Sequence, residues 1–215
     1  MPRHDPSEKT KLEILQAAVR LFTEKGWHNV NVEDVVKEVG VTRGAFYHYF
    51  KSREDLIVAV VDKMFHENNH FTAASKETGL NALEKLRYAL KLNILANYSN
   101  GSMAREVHKA VESPAIFKSE FISQITTAAP HLEKLLIEGN EDGSISVAYP
   151  KQASQVLAIL PNQWLGFAVF QIPYQEFVDR ILFLEHLTDK LGVPIFDDEL
   201  KELVIKSYEK INSRV

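Results

Sequence analysis

The 215-residue chain contains no cysteine, which excludes disulfides, thiolate metal sites, iron–sulfur clusters and thiol redox sensing. Long apolar runs are also missing. The most hydrophobic stretch, Val156 to Phe170, is broken by Pro161, Asn162 and Gln163 and is too short to span a bilayer. The opening MPRHDPSEKT carries no apolar segment of the secretory kind, so a soluble, cytoplasmic protein with no membrane contact is expected. Basic charge is not in excess: 25 Lys and Arg face 29 Asp and Glu, for a formal charge of −4. A generic basic nucleic-acid binder is therefore excluded, and any such contact must be local. No glycine-rich phosphate loop, nucleophile elbow or paired-carboxylate constellation is present, so neither an enzyme nor a cofactor is expected.

What is present is helical periodicity. With 45% hydrophobic residues the chain can bury a sizeable core. The fold class it points to is all-α, a small N-terminal domain followed by a larger one. Asp5-Pro6-Ser7-Glu8 reads as a helix start, and Ile14, Leu15, Ala18, Leu21 and Phe22 repeat at helical spacing up to Gly26. A second, shorter helix starts at the Asn31 cap, with Asp34 three residues on, presents Val32, Val35, Val36 and Val39, and stops at Gly40. Thr42 caps a third helix running to about Tyr49. Ser52, with Asp55 in the capping-box position, then opens a long fourth.

Two short helices joined by a tight glycine turn and packed on a longer one form the arrangement that inserts a helix into the DNA major groove. On the third helix Phe46 and Phe50 share one face, while Arg43, Gly44, Tyr47 and His48 lie on the other. Residues 1–58 hold nine basic and nine acidic residues, yet between Val41 and Arg53 the only charges are Arg43, Lys51 and Arg53. This local +3 suits a protein that touches few phosphates through one element. Gly44 is costly inside a helix, by ~1 kcal/mol relative to Ala, which suggests close approach of another molecule there. A helical hairpin without a nucleic-acid role is the plain alternative.

The string GVTRGAFYHYFKSREDL from Gly40 to Leu56, preceded by ILQAAVRLFTEKGWHNVNVEDVVKEV, resembles the DNA-binding domain of the TetR (tetracycline-repressor-like) family over Ile14 to about Val61. Asn31 stands where the family usually has Thr, and Phe46-Tyr47-His48-Tyr49-Phe50 departs from the commoner Leu-Tyr-Tyr-His-Phe. The resemblance implies a DNA-facing set of Thr42, Arg43, Gly44, Ala45, Tyr47 and His48. Arg43 is its expected base reader, and Tyr47, His48, Lys51 and Arg53 are expected at phosphates. It further implies a repressor with a helix-turn-helix domain at 1–58 and an effector-binding and dimerisation domain at 59–215. Double-stranded DNA carrying a palindromic operator and a small apolar or aromatic effector would be its partners, with a homodimer as the working unit. Tyr88, Leu92, Tyr98, Phe117, Phe121, Trp164 and Phe167 are the expected pocket residues, each of which as plain core is the alternative.

Downstream, loop marks fall at Thr78-Gly79, Asn100-Gly101, Ser113-Pro114, Ala129-Pro130, Glu138 to Pro150 and Ile172-Pro173. Two apolar segments follow, Ala153 to Phe170 and Tyr174 to Leu191. The second is apolar nearly all round, which in a soluble chain calls for a partner surface as well as a core. The resemblance makes this pair the dimer interface. Two competing readings remain. His66-Glu67-Asn68-Asn69-His70 has the His-Glu-x-x-His spacing of zinc hydrolases, without a third ligand in a supporting context; a metal or ligand contact with His108 is the weaker form of that idea. The other is a DNA-binding protein of this fold that answers to no small molecule.

Overall fold

The computed structural model describes residues 6–67, 70–99, 113–165 and 172–212, and among these it is built of helices without strands. It divides into two compact units, Met1–Phe65 with Ser102–Glu120, and His66–Gly101 with Phe121–Val215.

In the first unit, α1 (Pro6–Lys25) buries Ile14, Ala17, Ala18, Leu21 and Phe22 along one stripe. The expected cap, Asp5, lies outside the described residues. Gly26 closes the helix at φ 79°, with its N–H donating to the Phe22 carbonyl at 3.0 Å, and a single 3-10 turn follows at Trp27–Asn29. Helix α2 (Val32–Val39) begins as its residues dictate: the Asp34 N–H donates to Asn31 Oδ1 and the Asn31 N–H to Asp34 Oδ2, both at 2.9 Å. Val32 and Val35 are buried, whereas Val36 and Val39 are half-buried. Gly40, at φ 76°, ends α2 in the left-handed region that glycine adopts without penalty. Helix α3 (Arg43–Tyr49) follows within three residues, capped by Thr42 Oγ1, which accepts from the Ala45 N–H at 3.1 Å.

Helix α4 (Arg53–Glu67) starts with Ser52 Oγ accepting from the Asp55 N–H at 3.0 Å. Asp55 returns the bond one residue further back than a regular capping box, to the Lys51 N–H at 3.0 Å. Leu56, Ile57, Val60 and Val61 are buried. A bond from Ser119 Oγ to Asp62 Oδ1, 3.3 Å long, joins α4 to α7 (Pro114–Ser123).

In the second unit, α5 (His70–Ala74), α6 (Ala82–Ser99), α8 (Ala129–Asp142), α9 (Pro150–Trp164), α10 (Tyr174–Lys190) and α11 (Asp198–Asn212) enclose two apolar clusters. One centres on Leu86, Leu135, Leu136, Leu157 and Leu200; the other on Phe177, Ile181, Leu184 and Tyr208.

Two expected boundaries move. Ala129-Pro130 is no loop: a π-helical segment at Gln124–Ala128 carries the chain into α8, the register widening where Pro130 has no N–H to offer. The connector expected from Glu138 is shorter, because α8 continues to Asp142. Gly139 serves there as a helix residue over which Ile145 folds, since a Cβ would lie 2.6 Å from Ile145 Cδ1. Asn140 then pins the returning strand of chain through both the N–H and the carbonyl of Val147. Helix α9 ends at Trp164, within a turn of Pro161.

A seven-residue helix has too little propensity to persist alone, so α3 depends on Phe46 and Phe50, 0% and 2% exposed. Phe46→Ala is expected to cost ~3–5 kcal/mol, read as a fall in the first urea-unfolding midpoint.

Candidate nucleic-acid interface

The α2–turn–α3 segment presents one continuous outer face. Phe46 and Phe50 point into the unit with ring centroids 5.6 Å apart. On the opposite side Thr42, Arg43, Gly44, Tyr47 and His48 are exposed, and Ala45 is half-buried. Tyr47 is held upright by an edge-on contact with Phe46, at 5.3 Å between centroids, which leaves its ring 46% exposed. His48 packs edge-on against Tyr49 at 4.9 Å. Lys51 is exposed at the turn into α4. The fold therefore brings the expected contact residues together on one surface, with a single exception.

The exception is Arg53. Its guanidinium folds back on the protein: Nε donates to the Val30 carbonyl at 2.7 Å, Nη2 donates to the Trp27 carbonyl, and the group lies 5.5 Å from the Trp27 ring centroid. A planar guanidinium bonding two carbonyls over an indole ties the 3-10 turn to the start of α4. Arg53, expected at phosphate, has its guanidinium clamped here between two backbone carbonyls and an indole.

Arg43 extends outward but is not alone. Its Nη2 pairs with Glu33 Oε1 on α2 at 2.6 Å, while both side chains stay largely in solvent. Sequence reading passed over Glu33, although two consecutive acids in the first turn of α2, one of them spent on the cap, mark it. Gly44 has free space around it: a Cβ would meet no atom nearer than Thr42 Oγ1, at 3.8 Å. Among the described residues nothing requires glycine there.

The expected pocket residues are dispersed in character. Tyr88 and Phe121 are exposed, and Leu92, Phe117 and Trp164 are half-buried; Phe167 and the side chain of Tyr98 lie outside the described residues. Trp164 is engaged with α10, its ring 5.6 Å from that of Phe183 and 5.0 Å from the Arg180 guanidinium, which also bonds the Trp164 carbonyl. Beside it, both amide atoms of Gln163 are buried and have no hydrogen-bond partner among the described residues.

Of the His-Glu-x-x-His motif, the side chains of His66 and Glu67, and residues 68 and 69, lie outside the described residues, as does His108. His70 opens α5, and burial lowers its pKa from the ordinary imidazole value. Among the described residues no cluster of three metal-ligating side chains occurs.

Residues 14–60 match the family described as bacterial regulatory proteins, tetR family. Over 189 residues, 87% of each chain, the sequence is 23% identical to a probable HTH-type transcriptional regulator, ArpR, of Pseudomonas putida. The crystal structure of a TetR-family transcriptional regulator from Pectobacterium atrosepticum matches with a TM-score of 0.64 at 21% identity, over 87% of this chain and 96% of that one. The transcriptional regulator FadR from Bacillus subtilis, in complex with stearoyl-CoA, matches with a TM-score of 0.54 at 16% identity, over 92% of this chain and 98% of that one. An N-terminal helix-turn-helix with these relatives defines a DNA-binding transcriptional regulator and not an enzyme. Residues 14–60 thus carry a DNA-binding domain of the TetR family, and over most of its length the chain is similar to TetR-family regulators.

Because Gly44 is open to solvent, Gly44→Ala separates folding from binding. It is expected to stabilise α3 by up to ~1 kcal/mol while weakening DNA binding, measured by thermal unfolding alongside fluorescence anisotropy with a labelled duplex.

Proposed function

We propose that this regulator is a homodimeric repressor of the cytoplasm that reads a palindromic operator through α3 and leaves it when a small apolar or aromatic effector binds. In this reading residues 1–58 are the DNA-binding domain, and 59–215 bind the effector and the second subunit.

The observation that carries the DNA half is the exposed α3 face bearing Thr42, Arg43, Gly44, Ala45, Tyr47 and His48 over an anchored pair of phenylalanines. Arg43 has the geometry to bond a guanine edge at two points, whereas Tyr47, His48 and Lys51 suit phosphate oxygens. Arg53 supports the same surface from behind.

The dimer rests on α9 and α10. Helix α10 buries Phe177, Ile181 and Leu184 on one side and exposes Leu182 and Phe183, at 52% and 53%, on another. Val156 on α9 and Tyr174 at the start of α10 are exposed as well. Large apolar groups exposed this far on one helix fit a partner surface, and a two-fold pair would hold two α3 helices about 34–36 Å apart or a multiple of it.

The effector half draws support from Gln163. A buried carboxamide with neither donor nor acceptor satisfied among the described residues costs ~1–3 kcal/mol per group, which a ligand offering a polar head to it would recover. Tyr88, Leu92, Phe121 and Trp164 supply apolar surface in the same unit, which Tyr98 and Phe167 also belong to; Phe117 falls in the other unit. FadR with stearoyl-CoA is a protein of this fold with an apolar chain in its ligand. Such a ligand acts only through its differential affinity for the operator-bound and free forms.

Selection from random duplexes with purified protein tests the DNA half. A palindrome is expected; Tyr47→Ala or Lys51→Ala should weaken binding to all sequences alike, and Arg43→Ala should alter the consensus, with a loss of ~1–3 kcal/mol at one base pair. Recovery of no preferred duplex refutes it.

The dimer has its own test. Leu182→Glu with Phe183→Glu should give a monomer by sedimentation velocity with helicity retained and operator affinity lost; an unchanged dimer would place the interface elsewhere.

A further inference from the structure

We infer that Glu33 is a specificity-determining residue of the DNA surface, holding the Arg43 guanidinium for a guanine edge and penalising contacts with phosphate alone. The inference rests on the reading that α3 enters the major groove.

Glu33 supplies neither the cap nor the buried face of α2, only a first-turn acid. The cap is completed by Asn31 and Asp34, and Val32 and Val35 supply the buried face. The Glu33 carboxylate instead reaches across the turn to Arg43 Nη2 at 2.6 Å, with 55% of the Glu33 side chain and 64% of the Arg43 side chain exposed. An ion pair this open to water contributes little to folding. Its effect falls on what approaches the surface.

A guanidinium carries five N–H donors in a planar fork, so bonding one nitrogen to Glu33 leaves other donors for O6 and N7 of a guanine. On that base the pair can persist, and the carboxylate restricts the rotations Arg43 would otherwise lose on binding. A phosphate is different. It brings negative oxygens up to a carboxylate that already compensates Arg43, so part of the attraction is cancelled and the encounter is disfavoured. Discrimination built by repelling the wrong partner costs some affinity for the right one. The placement matters because the neighbouring arginine, Arg53, is committed to Val30 and Trp27. Arg43 is thus the arginine of this segment that is free to extend outward, and Glu33 governs it.

The test is Glu33→Gln, which keeps the length and polarity of the side chain and removes its charge. Wild type and variant are compared by selection from random duplexes and by anisotropy on a scrambled duplex across a salt series. For E33Q, affinity for scrambled DNA is expected to rise about 3- to 10-fold. The log–log salt slope should steepen by up to about one, as for one more phosphate contact. Preference at the base pair lost in Arg43→Ala should flatten, and E33Q added to Arg43→Ala should leave the consensus as that variant alone has it. A wild type that selects a duplex, with E33Q selecting the same one at equal preference and unchanged scrambled-duplex affinity, overturns this inference alone. A wild type that selects no duplex overturns the groove reading and this inference with it.

Discussion

The burial of Phe46 and Phe50 is the constraint on which this surface depends. Helix nucleation is unfavourable, and seven residues, one of them glycine, cannot recover its cost from backbone hydrogen bonds. Two aromatic side chains four residues apart turn the problem into one of packing, in which the hydrophobic term fixes not only that α3 exists but which way it faces. Once they are inward, Arg43, Gly44, Tyr47 and His48 have nowhere to lie but outward. The same contact stands Tyr47 on the edge of Phe46, so the polar face inherits the rigidity of the apolar one.

How far the sequence was legible follows from the range of each interaction. Asn31, Thr42 and Ser52 act within three residues of themselves, and their spacing alone predicts where α2, α3 and α4 begin. The aromatic faces of α3 are equally local. The bonds of Arg53 were not legible because its partners, Val30 and Trp27, lie 23 and 26 residues away, and nothing in the local pattern separates an arginine aimed at phosphate from one aimed at a carbonyl. Glu33 escaped notice for the same reason. In the second unit, the loop marks at Ala129-Pro130 and from Glu138, a stretch that includes Gly139, rest on the usual breaking role of proline and glycine. Packing of Ile145 over Gly139 and the widened turn before Pro130 kept the helix going. The apolar character of α10 was plain; which of its residues would be core and which exposed was not, since a helix apolar on every side has no marked face.

Helix α10 illustrates how one element can serve two surfaces. Phe177, Ile181 and Leu184 recur at the spacing of one face and close the cluster with Tyr208, whose ring stacks on Phe177 at 4.3 Å. Leu182 and Phe183 fall between them and cannot reach that cluster. Trp164 sits where the two demands meet, its ring against Phe183 and the Arg180 guanidinium. Any ligand that engaged Gln163, its neighbour in sequence, would therefore act next to residues that also shape the proposed subunit contact. In a packed interior such displacements are transmitted rather than absorbed.

Charge explains why two subunits would be needed at all. The segment Val41 to Arg53 carries three basic residues, but the folded chain withdraws Arg53 into a clamp and compensates Arg43 with Glu33, leaving Lys51 as the exposed cation without an acid held against its side chain in the described structure. A single α3 face then has little Coulombic attraction for a duplex, and the net charge of −4 adds none. Affinity must come from hydrogen bonds and close apolar fit, which are short-ranged and modest for so small an element. Coupling two such faces at a fixed spacing makes the second contact intramolecular and multiplies weak, orientation-dependent contacts into tight binding. The arrangement is also easy to switch, because a change in spacing removes the second contact and leaves a face too weakly charged to hold DNA by itself.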